Sequence, residues 1–228
     1  MKKVLLIGDS IRMGYDNYVK ESMKDFADVF FTKENNTFTH NILRNFHGWT
    51  DALGLYEADV IHWNVGHWDT VRIYGDEPLT KPDVYADNLV RISRRIKLLF
   101  PDAKQIFATS TPVIEEGFIE EFECRKNSDV ILYNKLAKEA LTPEGVIINV
   151  LHAVVYGKPD SLHSDQTHYY TAEATRLLGD KVNEVICGAL GVDTSLLTPP
   201  NLDDYKLIVA KSDREMFEKC GNIWKLKR

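Results

Sequence analysis

Short runs of apolar, β-branched and aromatic residues recur along the chain. The first, Val4-Leu5-Leu6-Ile7, contains no polar residue, which is typical of a strand buried on both faces of a sheet. The later runs have the length of strands and are bounded by polar residues. The strands predicted in this way occupy positions 4–8, 28–32, 59–64, 105–109 and 146–150.

Between these runs, apolar residues recur at intervals close to 3.6 residues, which predicts amphipathic helices. The most regular segment is 83–99, with Pro82 before it and Pro101 after it. Two further helices are predicted at 128–141 and 172–187. Strands that alternate with helices predict a mostly parallel sheet of about five strands with helices on both faces, which is an α/β fold of three layers.

The last part of the chain has a different pattern. Residues 1–190 carry the strand–helix alternation and are predicted to form one domain. The Thr-Pro-Pro-Asn run at 198–201 interrupts the pattern, and a helix is predicted near 202–219. We expect 191–228 to be a helical extension packed on the same domain; a lid or a dimer arm is the alternative.

Composition and charge exclude several classes of function. The chain has 228 residues, 44% of them hydrophobic, and a formal net charge of −6. Nucleic acids and anionic membranes need a basic face, so neither is expected as a partner. No apolar run approaches the roughly 20 residues that span a bilayer. The apolar stretch near the N-terminus ends at Gly8, short of the roughly 7–15 residues of a signal peptide.

The cysteines predict neither a disulfide framework nor a zinc site. There are three, Cys124, Cys187 and Cys220, widely spaced and without a Cys-x-x-Cys pair. Free thiols and a cytoplasmic location are therefore expected.

Candidate catalytic residues follow the predicted strands. Ser10 comes directly after the first strand, and Asp165 and His168 form an Asp-x-x-His pair late in the chain. The segment 64–69 follows the third strand, and the carboxyl ends of parallel strands meet at one edge of a sheet. A hydroxyl nucleophile, a base and a carboxylate that orients the base are what acyl transfer requires.

These motifs resemble those of the SGNH/GDSL hydrolase superfamily. Gly8-Asp9-Ser10 matches its first block and 165–168 its last, and the similarity covers about 3–187. The resemblance implies a flavodoxin-like three-layer fold and hydrolysis of esters without a metal or organic cofactor. It also implies that the serine is the nucleophile, the histidine the base and the aspartate its partner.

The second block of the family contributes a glycine. The segment 46–50 resembles it, which makes Gly48 the candidate backbone donor to the oxyanion, together with the N–H of Ser10.

The third block departs from the pattern of the family, Gly-x-Asn-Asp. Here 66–69 reads Gly-His-Trp-Asp, so that Trp68 stands at the position of the asparagine. Asn64, two residues before the glycine, is the candidate that supplies the amide to the oxyanion instead.

A second Asp-x-x-His pair, Asp160 and His163, lies just upstream. The family places its histidine shortly before the last helix. His168 lies three residues before Thr171, the predicted N-cap, and this favours the downstream pair.

Aromatic residues flank the motifs and indicate a substrate. Rings with a polar edge suit the mixed apolar and hydroxylated faces of a sugar, so the expected substrate is a short acyl ester, an acetyl group on a carbohydrate. The aromatic residues beside the motifs are Trp49, Trp63, Trp68, Tyr169 and Tyr170. Further candidates for contacts to the substrate are Arg12, His67 and Trp68.

Other functions remain open at this point. An α/β-hydrolase would carry Gly-x-Ser-x-Gly, which the serine segment 8–12 does not match. A lipase or thioesterase of the same superfamily is one alternative. A metal-dependent phosphoesterase is another, because 66–69 resembles a Gly-Asn-His-Asp metal block, although the second Asp-x-His of a two-metal cluster is missing near the N-terminus. A non-catalytic binding domain is the third.

Overall fold

A five-stranded parallel sheet forms the centre of the protein. The computed structural model describes residues 1–202. The strands in that part of the chain are β1 (Lys2–Ile7), β2 (Ala27–Phe31), β3 (Val60–Asn64), β4 (Arg72–Ile73), β5 (Lys104–Ala108), β6 (Glu123–Cys124) and β7 (Ile147–Asn149). The central sheet has the order β2-β1-β3-β5-β7, and all its pairs are parallel; β4 and β6 form a separate antiparallel pair.

Helices cover both faces of this sheet. The α-helices within 1–202 are α1 (Ser10–Met23), α2 (Thr39–Ala52), α3 (Pro82–Leu99), α4 (Asn127–Leu141), α5 (Leu151–Val155) and α6 (Ala172–Leu190). Helices α1, α5 and α6 pack together in one layer, while α2, α3 and α4 form the other.

The apolar run of β1 shows why both layers are needed. Val4 and Leu6 belong to the core under α1 and α6, whereas Leu5 and Ile7 belong to the core under α2, α3 and α4. Successive side chains of a strand point to opposite faces, so a strand covered on both sides must be apolar at every position. The four side chains are fully buried.

The predicted three-layer fold is confirmed, with the five strands and three helices each within a few residues of their expected bounds. The N-cap predicted at Thr171 is confirmed too, since its hydroxyl accepts a hydrogen bond from the N–H of Ala174. The short strands β4 and β6 and the helix α2 were not predicted. Most of the helix predicted near 202–219 lies outside the described residues. No helix within 1–202 is long and apolar enough to cross a membrane.

Candidate active site

Ser10 is placed by a sharp change from strand to helix. Strand β1 ends at Ile7 and α1 begins at Ser10. The carboxylate of Asp9 accepts a hydrogen bond from the N–H of Ile11 at 3.0 Å and so caps the helix. Because Ser10 is the first helical residue, its own N–H has no acceptor within the helix and is available to a ligand.

Gly8 allows this turn to pack closely against the neighbouring strand. A Cβ atom on Gly8 would lie 1.9 Å from Oδ1 of Asn64, and this distance is too short for any residue other than glycine at position 8. The backbone N–H and C=O of Gly8 are both bonded to Asn36, in the loop after β2. The strand end that carries the serine is therefore fixed from both sides.

His168 and Asp165 reach Ser10 from the other end of the chain. Nε2 of His168 lies 2.7 Å from Oγ of Ser10, and Nδ1 lies 2.7 Å from Oδ2 of Asp165. An ionised carboxylate only accepts hydrogen bonds, so Nδ1 carries the proton and Nε2 accepts from the serine hydroxyl. This is the arrangement that lets an imidazole remove the proton of a serine during acyl transfer.

The loop itself holds Asp165 in its ionised form. Its Oδ1 accepts hydrogen bonds from the N–H groups of Thr167 and His168, both at 2.8 Å. Burial raises the pKa of Asp165, but its hydrogen bonds to the His168 ring and to the backbone outweigh burial and lower that pKa to about 2. The carboxylate is therefore charged throughout the neutral range.

The upstream pair does not reach the serine. The N–H of His163 bonds to the carbonyl of Asp160 in a 3-10 turn, and its ring packs against Tyr169 with 3.9 Å between the centroids. Burial lowers the pKa of His163. The structure thus brings His168, rather than His163, into contact with Ser10.

Asn64 lies beside the nucleophile at the end of β3. Its side chain is buried, and Nδ2 donates to Oδ1 of Asp9 at 2.7 Å. The hydroxyl of Tyr15 lies 3.5 Å from Oδ1 of Asn64. An amide nitrogen has two hydrogens, so this bond to Asp9 leaves one further donor next to the serine turn.

Gly48 cannot serve as the predicted backbone donor, and that assignment is wrong. It lies inside α2, where an N–H bonds to the carbonyl four residues earlier, and it faces open space. From this part of the chain, the loop 32–38 contacts the serine turn instead, through the hydrogen bond between Asn36 and Gly8. Thr37 in that loop has a left-handed φ of 55°.

Arg12 is also not placed to touch a substrate. Its guanidinium is fully buried, pairs with Asp16 at 2.6 Å and donates to the carbonyls of Thr32 and Glu34. Arg12 therefore ties the loop after β2 to the helix that carries the nucleophile.

The third-block residues lie in a buried loop after β3. Nε2 of His67 lies 3.2 Å from the hydroxyl of Thr111, and Nδ1 is shielded from solvent. The guanidinium of Arg125 lies 5.9 Å from the centroid of the Trp68 ring, whose side chain is partly exposed. Of these two predicted substrate contacts, only Trp68 presents accessible surface.

Asp69 binds the first residue of α2, Thr39. Its carboxylate accepts hydrogen bonds from the N–H and the hydroxyl of Thr39. Burial raises the pKa of Asp69 to about 7. Within 1–202, no group of three or more His, Cys, Asp and Glu side chains is arranged to hold a metal ion.

Comparison with known proteins shows the same fold. No protein-family model matches the sequence, and no curated protein matches it. Among solved structures, the acetyl xylan esterase AlAXEase is similar, with 16% identity, a TM-score of 0.63, and 81% of this chain and 99% of the other covered. The lipase/acylhydrolase from Enterococcus faecalis has 18% identity and a TM-score of 0.63 over 88% of this chain and 100% of the other. Axe2, an acetylxylan esterase from Geobacillus stearothermophilus, has 15% identity and a TM-score of 0.62 over 85% and 95%.

These likenesses confirm the resemblance at the level of the fold. The chain has the three-layer fold of GDSL-like lipases, acylhydrolases and acetyl xylan esterases. The order of the motifs along the sequence and their meeting at one sheet edge agree with that fold.

Proposed function

We propose that this protein is a serine esterase that cleaves a short acyl ester, with an acetylated carbohydrate as its substrate. The observation that carries the proposal is the continuous hydrogen-bonded chain from Ser10 through His168 to Asp165, with 2.7 Å in both contacts between side chains. These three groups supply a nucleophile, a base and the carboxylate that orients the base.

The reaction follows from the geometry. Oγ of Ser10 attacks the acyl carbon while Nε2 of His168 takes its proton, and Asp165 stabilises the imidazolium that forms. The imidazolium then returns the proton to the leaving alcohol, and the acyl group stays on the serine. Water, deprotonated by His168, then attacks the acyl carbon. The bond from that carbon to Oγ of Ser10 breaks, the imidazolium returns its proton to Oγ, and the acid is released. Each step uses groups of this chain only.

The negative charge on the tetrahedral intermediate needs donors. We assign the N–H of Ser10, at the start of α1, and the remaining amide hydrogen of Asn64 to that role. Asp9 accepts from Asn64 and so holds the amide beside the serine. This replaces the predicted contribution of Gly48.

Two observations support a short acyl group and a carbohydrate. Ser10 is only 5% exposed and His168 8%, so little open surface surrounds the reacting hydroxyl. Two of the similar structures are acetyl xylan esterases by name. The similar lipase/acylhydrolase makes a longer acyl chain the alternative.

A series of p-nitrophenyl esters from acetate to decanoate, followed by acetylated xylo-oligosaccharides, tests the proposal. We expect the highest kcat/KM on acetate, acetate release from the sugars, and no loss of activity with EDTA. A kcat/KM that rises steadily with chain length would establish a lipase or thioesterase. Hydrolysis of p-nitrophenyl phosphate that EDTA abolishes would contradict the serine mechanism.

A further inference from the structure

Tyr170 contacts two members of the candidate triad, His168 and Ser10. Its ring stacks on the ring of His168, with 4.8 Å between the centroids and 17° between the planes. Its hydroxyl donates a hydrogen bond to the backbone carbonyl of Ser10 at 2.8 Å. One buried side chain thus joins the loop that carries the histidine to the first turn of the helix that carries the serine.

Gly14 has no side chain, and this leaves space on the surface of α1 for the Tyr170 ring. A Cβ atom on Gly14 would lie 2.9 Å from Cδ1 and 3.0 Å from Cε1 of Tyr170. Glycine is unfavourable inside a helix because it loses more conformational freedom than any other residue. Its presence at position 14 is explained by the close approach of the tyrosine.

We propose that Tyr170 is a positioning residue of the triad, acting through the two contacts in different ways. The hydroxyl fixes the backbone of Ser10 relative to the loop of His168. The ring face stabilises the imidazolium that forms when His168 holds the proton, because the face of an aromatic ring attracts a cation within about 6 Å of its centroid. This inference rests on the proposed serine esterase function.

The charged and titratable groups around His168 come from several elements. They are Asp165 on the same loop, Asp9 before α1, His67 after β3 and His163 upstream. Burial lowers the pKa of both His67 and His163, so these two imidazoles are neutral near pH 7. Tyr170 is the residue whose ring stacks on the imidazole of His168.

Two substitutions at position 170 separate the contacts. Tyr170→Phe keeps the ring and removes the hydroxyl, so kcat should fall about two- to tenfold with little change in KM. Tyr170→Leu also removes the aromatic face. In that variant the pH midpoint at which the His168 ring titrates, followed by NMR of the labelled imidazole, should fall by about half a pH unit. Tyr170→Phe should keep the midpoint of the unaltered protein.

Gly14→Ala tests the proposal without changing the tyrosine, in case Tyr170→Leu does not fold. The added methyl group displaces the ring, so the midpoint should fall as in Tyr170→Leu and kcat should fall at least as far as in Tyr170→Phe. Gly188→Ala is the matched control, because Gly188 also lies inside a helix and has nothing within 4 Å of an added Cβ. It should leave both quantities unchanged.

The NMR titration requires no substrate, so it tests the contact between Tyr170 and His168 independently of the proposed esterase activity. If the unaltered protein cleaves no ester while the midpoint still falls in Tyr170→Leu, the proposed function fails and the contact of Tyr170 with the imidazole stands. A midpoint that is unchanged or raised in both Tyr170→Leu and Gly14→Ala, in an active enzyme, would overturn the role of the ring. A Tyr170→Phe enzyme with unaltered kcat would overturn the role of the hydroxyl.

Discussion

Two Asp-x-x-His segments lie five residues apart in one loop, and the structure places them very differently. The upstream pair, Asp160 and His163, forms a 3-10 turn in which the histidine ring packs on Tyr169. In the downstream pair, Asp165 accepts three hydrogen bonds from its own loop, and His168 reaches the serine hydroxyl. The same residue types at the same spacing thus end in two environments.

The spacing of such a motif therefore has little meaning without its place in the fold. His168 lies three residues before the N-cap of α6, and that helix packs on α1, which begins with the serine. The chain leading into α6 therefore passes the start of α1. His163 lies five residues further from that helix and has no such constraint.

The largest expected effect separates the two histidines. His168→Ala should lower kcat by about 10⁴–10⁶, because it removes the base. His163→Ala removes a ring of the same kind from the same loop and should keep kcat within about tenfold. Steady-state kinetics on p-nitrophenyl acetate measures kcat for both variants. Equal losses of kcat would contradict the assignment of His168, rather than His163, as the base.

Two buried asparagines, Asn64 and Asn149, lie at strand ends and should differ in their effect on catalysis. Asn64→Ala should lower kcat by about 10²–10³ with little change in KM if its amide donates to the oxyanion. Asn149, at the end of β7, donates to His62 instead and provides the control. Asn149→Ala should lower stability and leave kcat within a few-fold. An Asn64→Ala enzyme with normal kcat would leave the oxyanion to backbone N–H groups.

A third prediction contrasts two carboxylates whose pKa values move in opposite directions. Burial raises the pKa of Asp69 to about 7, above its value in the unfolded chain, so the folded state binds the proton more tightly. The contribution of Asp69 to the free energy of unfolding should therefore fall as the pH rises from about 4 to 7. Asp69→Asn keeps an acceptor for Thr39 and removes the ionisation.

Urea unfolding at several pH values tests this effect. The free energy of unfolding of Asp69→Asn, relative to the unaltered protein, should rise by at most about 4 kcal/mol over that range. Parallel curves for the two proteins would refute the effect. The pKa of Asp165 is lowered to about 2, below its unfolded value, so Asp165 acts in the opposite direction, only near the lower end of this window, and equally in both proteins.

The smallest expected effect compares two glycines. Gly48→Ala should raise stability by roughly 0.5–1 kcal/mol and leave kcat unchanged, since Gly48 is exposed inside a helix and has nothing within 4 Å of an added Cβ. Gly8→Ala should damage both properties, because its Cβ would collide with Asn64. A large loss of kcat in Gly48→Ala would return this residue to the site.

The fold could be predicted from the sequence because its strands are apolar on both faces and its helices are periodic. The structure of the region from 33 to 52 could not be predicted in this way. It contains no glycine before Gly48, so the resemblance to the second block pointed to a residue inside α2. The left-handed backbone at Thr37 leaves no signal in residue type, since such a conformation usually selects glycine or asparagine.

The roles of buried polar residues were also hidden in the sequence. An arginine on an amphipathic helix is normally exposed, yet Arg12 is buried by its pairing with Asp16 and two loop carbonyls. Tyr170 lies close to His168 in the sequence, but the residue that its hydroxyl binds, Ser10, lies 160 residues away. Contacts that join distant segments are beyond local patterns.

Covalent labelling with a fluorophosphonate tests whether Ser10 is the nucleophile, because the probe reacts with a serine only when a base activates it. We expect one probe per chain in the intact mass and the modified peptide to contain Ser10. Labelling should be lost in Ser10→Ala and strongly reduced in His168→Ala, and it should persist in His163→Ala. Absence of labelling in the folded, unaltered protein, or undiminished labelling of Ser10→Ala, would contradict the assignment of Ser10 as the nucleophile.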